Sequence, residues 1–134
     1  MRIRFAKMHG AGNDFVLVDD RDGAFPCDRR VLAAIGARGT GVGCEGIILV
    51  QRSDRFDFRM RFFNPDGSEA ELCGNGARCV AAFAREIGAA KADKMRFETL
   101  AGEVHAEILP PTTSQPPNLA TCEDLDARSG GFAR

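Results

Sequence analysis

The feature that most constrains this fold is a helix made of small residues. From Gly76 onward the chain places Ala77, Val80, Ala81, Ala84 and Ile87 at helical spacing, with Arg78, Arg85 and Glu86 off that stripe. A buried face built from alanine lets neighbouring backbones come close. The helix is therefore expected at the centre of its domain, with strands drawn around it and Gly88 as its stop. Directly before it stands Cys73-Gly74-Asn75-Gly76. A thiol here lies beside backbone N–H groups that lack intrahelical partners, at the positive end of the helix dipole.

That position favours a thiolate, and the same N–H groups can hold a carboxylate. A base next to an anion cradle is what is needed to take a proton from the carbon beside a bound carboxylate. Two glycines bracketing Asn75 remove side chains where backbone must approach a ligand, and Asn75 suits an N-cap. The plainer reading of the same glycines is a turn before a helix. Taken singly, Cys27, Cys44, Cys79 and Cys122 read as small core hydrophobes. The glycine context sets Cys73 apart from them.

The segments upstream supply strands and turns. Phe56 to Phe62 alternates, with Phe56, Phe58, Met60 and Phe62 on a core face and Asp57, Arg59 and Arg61 outside. Asn64-Pro65-Asp66-Gly67 is then a turn that delivers the chain to Cys73. Arg2 to Met8 alternates as a strand and runs into His9-Gly10-Ala11-Gly12-Asn13-Asp14, a tight turn or ligand-approach loop in which Asn13 by itself reads as a turn residue. Phe15 to Val18 is a buried strand. Asp28 caps a helix through Val31, Leu32, Ala34 and Ile35, which Gly36 to Gly43 breaks. Gly46 to Val50 is apolar enough to be covered on both faces. Met95–Thr99 and Glu103–Leu109 form a hairpin about Ala101-Gly102, with His105 exposed.

Several functions are disfavoured. Gly10-x-Gly12 lacks the third glycine of a dinucleotide fingerprint, and Gly39 to Gly43 is not followed by Gly-Lys-Ser/Thr. With two histidines in the chain, a His/Cys metal site is not expected. The balance of 18 Lys and Arg against 19 Asp and Glu argues against nucleic acid or an anionic membrane as partner. No apolar run approaches the roughly 20 residues of a membrane span, and the start of the chain lacks the pattern of a signal peptide. An odd count of five cysteines fits reduced thiols in the cytoplasm. The 134 residues are one domain's worth. After Leu109 the prolines and polar residues lose all periodicity. We therefore expect a domain at 1–109 and a disordered or aberrant tail at 110–134.

Met8 to Phe15, Gly41 to Gly46 and above all Phe63 to Cys79 resemble the amino-terminal half of diaminopimelate epimerases. The likeness covers most of residues 1–109. It implies an α+β half, a mixed curled β-sheet or barrel wrapped around a central α-helix, paired in the family with a similar second half across a cleft. It also implies epimerisation of LL-diaminopimelate to the meso form, for lysine and peptidoglycan, by two cysteines with no metal, pyridoxal phosphate or other cofactor. Cys73 matches the amino-terminal acid/base cysteine, and Gly74 and Asn75 the backbone that holds the α-carboxylate. Asn13 and Asn64 match asparagines that contact substrate.

The second half's cysteine context has no counterpart here, and Cys122, with no glycine and no apolar helix behind it, is not cast in its place. Because one thiol cannot serve both faces of a held substrate, the expectation is a truncated, split or frameshifted epimerase that is inactive alone. An open apolar face would then favour homodimerisation or association with the missing carboxy-terminal half. The alternatives are a proline-type cofactor-independent racemase and a non-catalytic binding remnant that keeps half a carboxylate cradle.

Overall fold

The computed structural model describes residues 2–110. Seven strands and two helices follow one another as β1 (Ala6–Gly10), β2 (Asn13–Asp19), α1 (Arg29–Gly36), β3 (Gly46–Gln51), β4 (Phe58–Phe63), β5 (Glu69–Ala70), α2 (Gly74–Ile87), β6 (Lys94–Thr99) and β7 (Gly102–Glu107). The strands form one sheet in the order β1-β2-β3-β4-β6-β7, and the short β5 pairs with the end of β4. Two neighbour pairs are parallel, β2 with β3 and β4 with β6, and the others are antiparallel. A parallel pair needs a crossover. Here α1 makes the first and α2 the second.

The two crossovers lie on opposite faces of the sheet, so β2 and β3 are buried on both sides. Phe15 and Leu17 of β2 join the core around Val80, Phe83 and Ala84 of α2, whereas Val16 and Val18 join Leu32 of α1. In β3, Ile48 and Val50 face α2 while Ile47 and Leu49 face the α1 side. The five residues Gly46–Val50 are all buried, as their unbroken apolar run predicts. The helix α2 touches β1, β2, β3, β4 and β7, so the sheet curls around it. Its alanines make this approach fit: Ala81, Ala82 and Ala84 are buried along with Val80. Across the parallel β4–β6 pair, the rings of Phe58 and Phe97 stack with centroids 4.6 Å apart.

Asp28 caps α1 as expected, its carboxylate accepting the Arg30 N–H at 2.8 Å, although Ala34 lies on the exposed side. Other boundaries differ from the sequence reading. The first strand is Ala6–Gly10, so His9 and Gly10 lie in β1 and Asn13 and Asp14 in β2, which leaves Ala11 and Gly12 as the whole loop. Alternation in the Phe56 region holds for Phe58, Met60 and the half-buried Phe62, which face α2, and puts Phe63 on the α1 side, but Phe56 precedes the strand. The last hairpin turns at Leu100 and Ala101, with Thr99 opposite Gly102. Its His105 is exposed and pairs with Glu103. Of the expected tail, residues 111–134 lie outside the described segment. Among the described residues, no helix is long and apolar enough to cross a membrane and no cluster suited to a metal ion is found.

Candidate active site at the start of the central helix

The central helix starts earlier than its alanine stripe suggests. Cys73, not Asn75, is the N-cap, with the extended backbone (φ −114°, ψ 132°) usual at that position, and Gly74 and Asn75 already belong to the first turn. The first intrahelical bond runs from the Ala77 N–H to the Cys73 carbonyl at 2.8 Å. The N–H groups of Gly74, Asn75 and Gly76 therefore have no carbonyl partner within the helix. The Cys73 side chain makes no capping bond to them and remains half-buried beside them.

Glycine serves two ends in this turn. A β-carbon at Gly74 would meet nothing within 4 Å, so that side of the turn is open for an approaching group. At Gly76 a β-carbon would come within 3.3 Å of Ile48 Cδ1 and 3.6 Å of Met60 Cε, so the absence of a side chain lets the helix start sit down on β3 and β4. The cradle is open on one side and seated on the core at the other.

The β1–β2 hairpin brings the second wall. Ala11 (φ 54°) and Gly12 (φ 86°) both take left-handed backbone, the two-residue turn whose twist matches flanking strands. The His9 imidazole closes it by accepting the Gly12 N–H at Nδ1, 3.1 Å. This pairs Gly10 with Asn13 at the hairpin tip. A β-carbon on Gly10 would lie 3.3 Å from Asn75 Cβ, so the tip packs on the first turn of α2. Asn13 then reaches Cys73: its Nδ2 donates to Sγ at 3.6 Å.

Asp14 anchors this arrangement from the other side. Its carboxylate pairs with Lys7 at 3.1 Å and Arg38 at 2.7 Å and accepts the Glu45 N–H at 3.1 Å, while its carbonyl accepts the same N–H at 2.8 Å. Burial pulls its pKa up, but the hydrogen bonds from Arg38 and Lys7 outweigh that and hold it below the usual carboxylate range. Lys7 also donates to the Gly43 carbonyl at 2.7 Å. Strand β1, strand β2 and the Gly39–Gly43 loop are thus tied at one point.

Of the residues singled out from sequence, Cys73, Gly74, Asn75 and Asn13 come together here. The Asn64 amide donates to Ser68 Oγ at 3.1 Å within its own turn. Cys44 is buried among Val16, Leu32 and Phe63 on the α1 face, and burial pushes its thiol up. It belongs to the other core. Cys27, Cys44 and Cys73 are free thiols, and Cys79 is buried in the core on the α2 side, as a small apolar residue would be. The sequence reading missed Gly10, the Lys7–Asp14–Arg38 anchor and Arg78, whose guanidinium donates to Asn75 Oδ1. The Arg78 contact had a signal, since positions three apart on a helix are neighbours.

The diaminopimelate epimerase family profile matches residues 5–115. The chain is similar to the diaminopimelate epimerases of Archaeoglobus fulgidus (47% identical over 111 residues, 81% of this chain and 39% of the relative), Thioalkalivibrio sulfidiphilus (47% over 113 residues, 82% and 41%) and Pelotomaculum thermopropionicum (50% over 109 residues, 80% and 39%). It therefore spans about two fifths of the length of these relatives. Among solved structures, a phenazine biosynthesis PhzF-family protein of Bacillus anthracis aligns with a TM-score of 0.62 at 25% identity, covering 84% of this chain and 37% of that one. A probable proline racemase of Agrobacterium radiobacter with bound carbonate aligns at 0.63 and 15% identity, covering 81% and 38%, a likeness of fold alone.

Proposed function

From the premise that the chain belongs to the diaminopimelate epimerase family, we propose that it carries one catalytic face of a cytoplasmic, cofactor-independent epimerase converting LL-diaminopimelate to the meso form. The observation that supports this most is the convergence of a free thiol, three N–H groups without helical partners and the Asn13 amide at the start of α2. In this reading the Gly74 and Asn75 N–H groups receive the α-carboxylate, where the helix dipole favours an anion. A carboxylate held there loses part of its charge repulsion toward carbanion formation at the adjacent carbon. Cys73 takes the α-proton as thiolate or returns it as thiol. Asn13 and Asn64 contact the rest of the substrate, Asn64 after its amide leaves Ser68.

Inversion requires a second acid on the opposite face of the α-carbon. Residues 1–109 form the half-domain that supplies the first face, and the matching half, which the relatives' greater length spans, supplies the other. The chain alone is then inactive in full turnover. The test is deuterium incorporation at the α-carbon of LL-diaminopimelate in heavy water, with the chain alone and with an added carboxy-terminal half from a relative. Exchange that rises when the half is supplied and disappears in Cys73→Ser is the expected result. Absence of exchange in every combination, with the chain folded, would sink the reading in favour of a binding remnant. Competition with proline and hydroxyproline in the same assay separates diaminopimelate from a proline-type substrate.

A further inference from the structure

We infer that Asn13 is a positioning residue for the Cys73 sulfur, which it holds and aims by an N–H···S hydrogen bond. The inference rests on the reading of Cys73 as an acid/base and adds to Asn13 a role directed at the thiol itself. Its observation is direct: Asn13 Nδ2 lies 3.6 Å from Cys73 Sγ, within hydrogen-bond reach for sulfur, across 60 residues of sequence. A thiolate is an acceptor only, and an amide N–H is the complement it needs in a place where the helix N–H groups are to be given to a ligand. The side chain of Cys73 makes no bond to those helix N–H groups. That leaves the sulfur to be oriented from outside the helix.

The position of Asn13 is fixed by its surroundings. It is the first residue of β2, paired with Gly10 across a two-residue turn that the His9 imidazole closes. The following residue, Asp14, is held by Lys7, Arg38 and the Glu45 N–H. On the other side, Gly10 rests on Asn75, one turn position beyond Gly74. Hairpin and helix start are therefore in contact at two places, Gly10 on Asn75 and Asn13 on Cys73. A donor carried on such a frame is already aimed when the sulfur takes charge, and charge-assisted bonds are the stronger class.

The test reads the thiol without needing turnover. Alkylation of Cys73 by iodoacetamide is followed by site-resolved mass spectrometry on the full chain at one fixed pH near neutrality, for the parent, Asn13→Ala and Asn13→Asp. The exposed free thiol of Cys27 serves as the internal standard. Asn13→Ala is expected to slow Cys73 alkylation about ten-fold relative to Cys27, the low end for a hydrogen bond to a charged group. Asn13→Asp keeps shape and oxygen but replaces the N–H donor with a negative charge, so it is expected to be slower still. A role in shape alone gives the reverse order, with the isosteric Asp variant nearer the parent than Ala. An unchanged rate in Asn13→Ala, or an Asp variant faster than Ala, overturns the inference. Failure of the epimerase reading shows separately, as absent deuterium exchange with these thiol rates still ordered.

Discussion

At Gly36 two physical effects oppose each other, and their sizes decide the outcome of a substitution. Alanine is favoured over glycine within a helix by about 1 kcal/mol, and Gly36 is the last residue of α1 with no left-handed backbone to protect. Yet a β-carbon there would sit 2.6 Å from the Pro65 carbonyl oxygen and 2.8 Å from Pro65 Cα. These are backbone atoms and cannot rotate away. Gly36→Ala is therefore expected to destabilise the chain by roughly 2 kcal/mol, because overpacking outweighs propensity. A lower urea midpoint with an unchanged slope would show this, whereas a neutral or stabilised variant would mean that α1 and the Asn64 turn do not pack so closely. The same contact bears on the proposed site, since Pro65 follows Asn64. On the proposed reading of Asn64 as a substrate contact, displacing that turn weakens exchange in the reconstituted assay before it affects Cys73 alkylation.

The elements differ in how openly the sequence announced them. Strand β3 was legible because a fully apolar run bounded by glycine admits few other structures, and α1 because Asp28 and the glycines after it mark both ends. The central helix was legible from its alanine stripe, but its start was not, since an N-cap asparagine and a cysteine N-cap followed by helical Gly74 leave similar patterns. The β1–β2 turn was hidden for a related reason: Ala11 takes a left-handed backbone that the sequence gives to glycine or asparagine, so the tight turn looked longer than it is. The link between Asn13 and Cys73 joins elements far apart in the chain, and no local pattern encodes it. What α2 does carry openly is its dependence on small side chains. Ala84 is wholly buried among strands that approach the helix closely. Ala84→Leu inserts three carbons into that space and is expected to cost about 1–3 kcal/mol by overpacking, read as a fall in thermal midpoint. Asp28→Ala, which removes the α1 cap, should cost about 1 kcal/mol and leave the helix α2 site intact.

Across the whole molecule, stability should depend on acid through the carboxylates that tie separate segments together. Asp14 joins β1, β2 and the Gly39–Gly43 loop, and Glu69 joins β5 to Arg61 of β4 at 2.8 Å. For Asp14, burial raises the pKa but the bonds from Arg38 and Lys7 carry it below 3.8. For Glu69, the Arg61 hydrogen bond comes first and lowers it from 4.5. A folded pKa below the unfolded one means that the unfolded chain binds protons more readily, so both groups stabilise the fold above the unfolded values, near pH 4. That contribution is lost as pH falls through the lower folded values. The chain is thus expected to hold a level stability from pH 8 down to about 5 and to lose it progressively below about 4. Asp14→Asn should remove about 1 kcal/mol at neutral pH, since its carboxylate is mostly covered while Arg38 is screened by solvent. It should also flatten the acid limb, because the group that titrates there is gone. Urea midpoints measured from pH 7 to pH 3 check both points together. A parallel downward shift of the whole curve would mean that Asp14 acts through its hydrogen bonds alone, and its charge would then have no part in fixing the hairpin that presents Asn13 to Cys73.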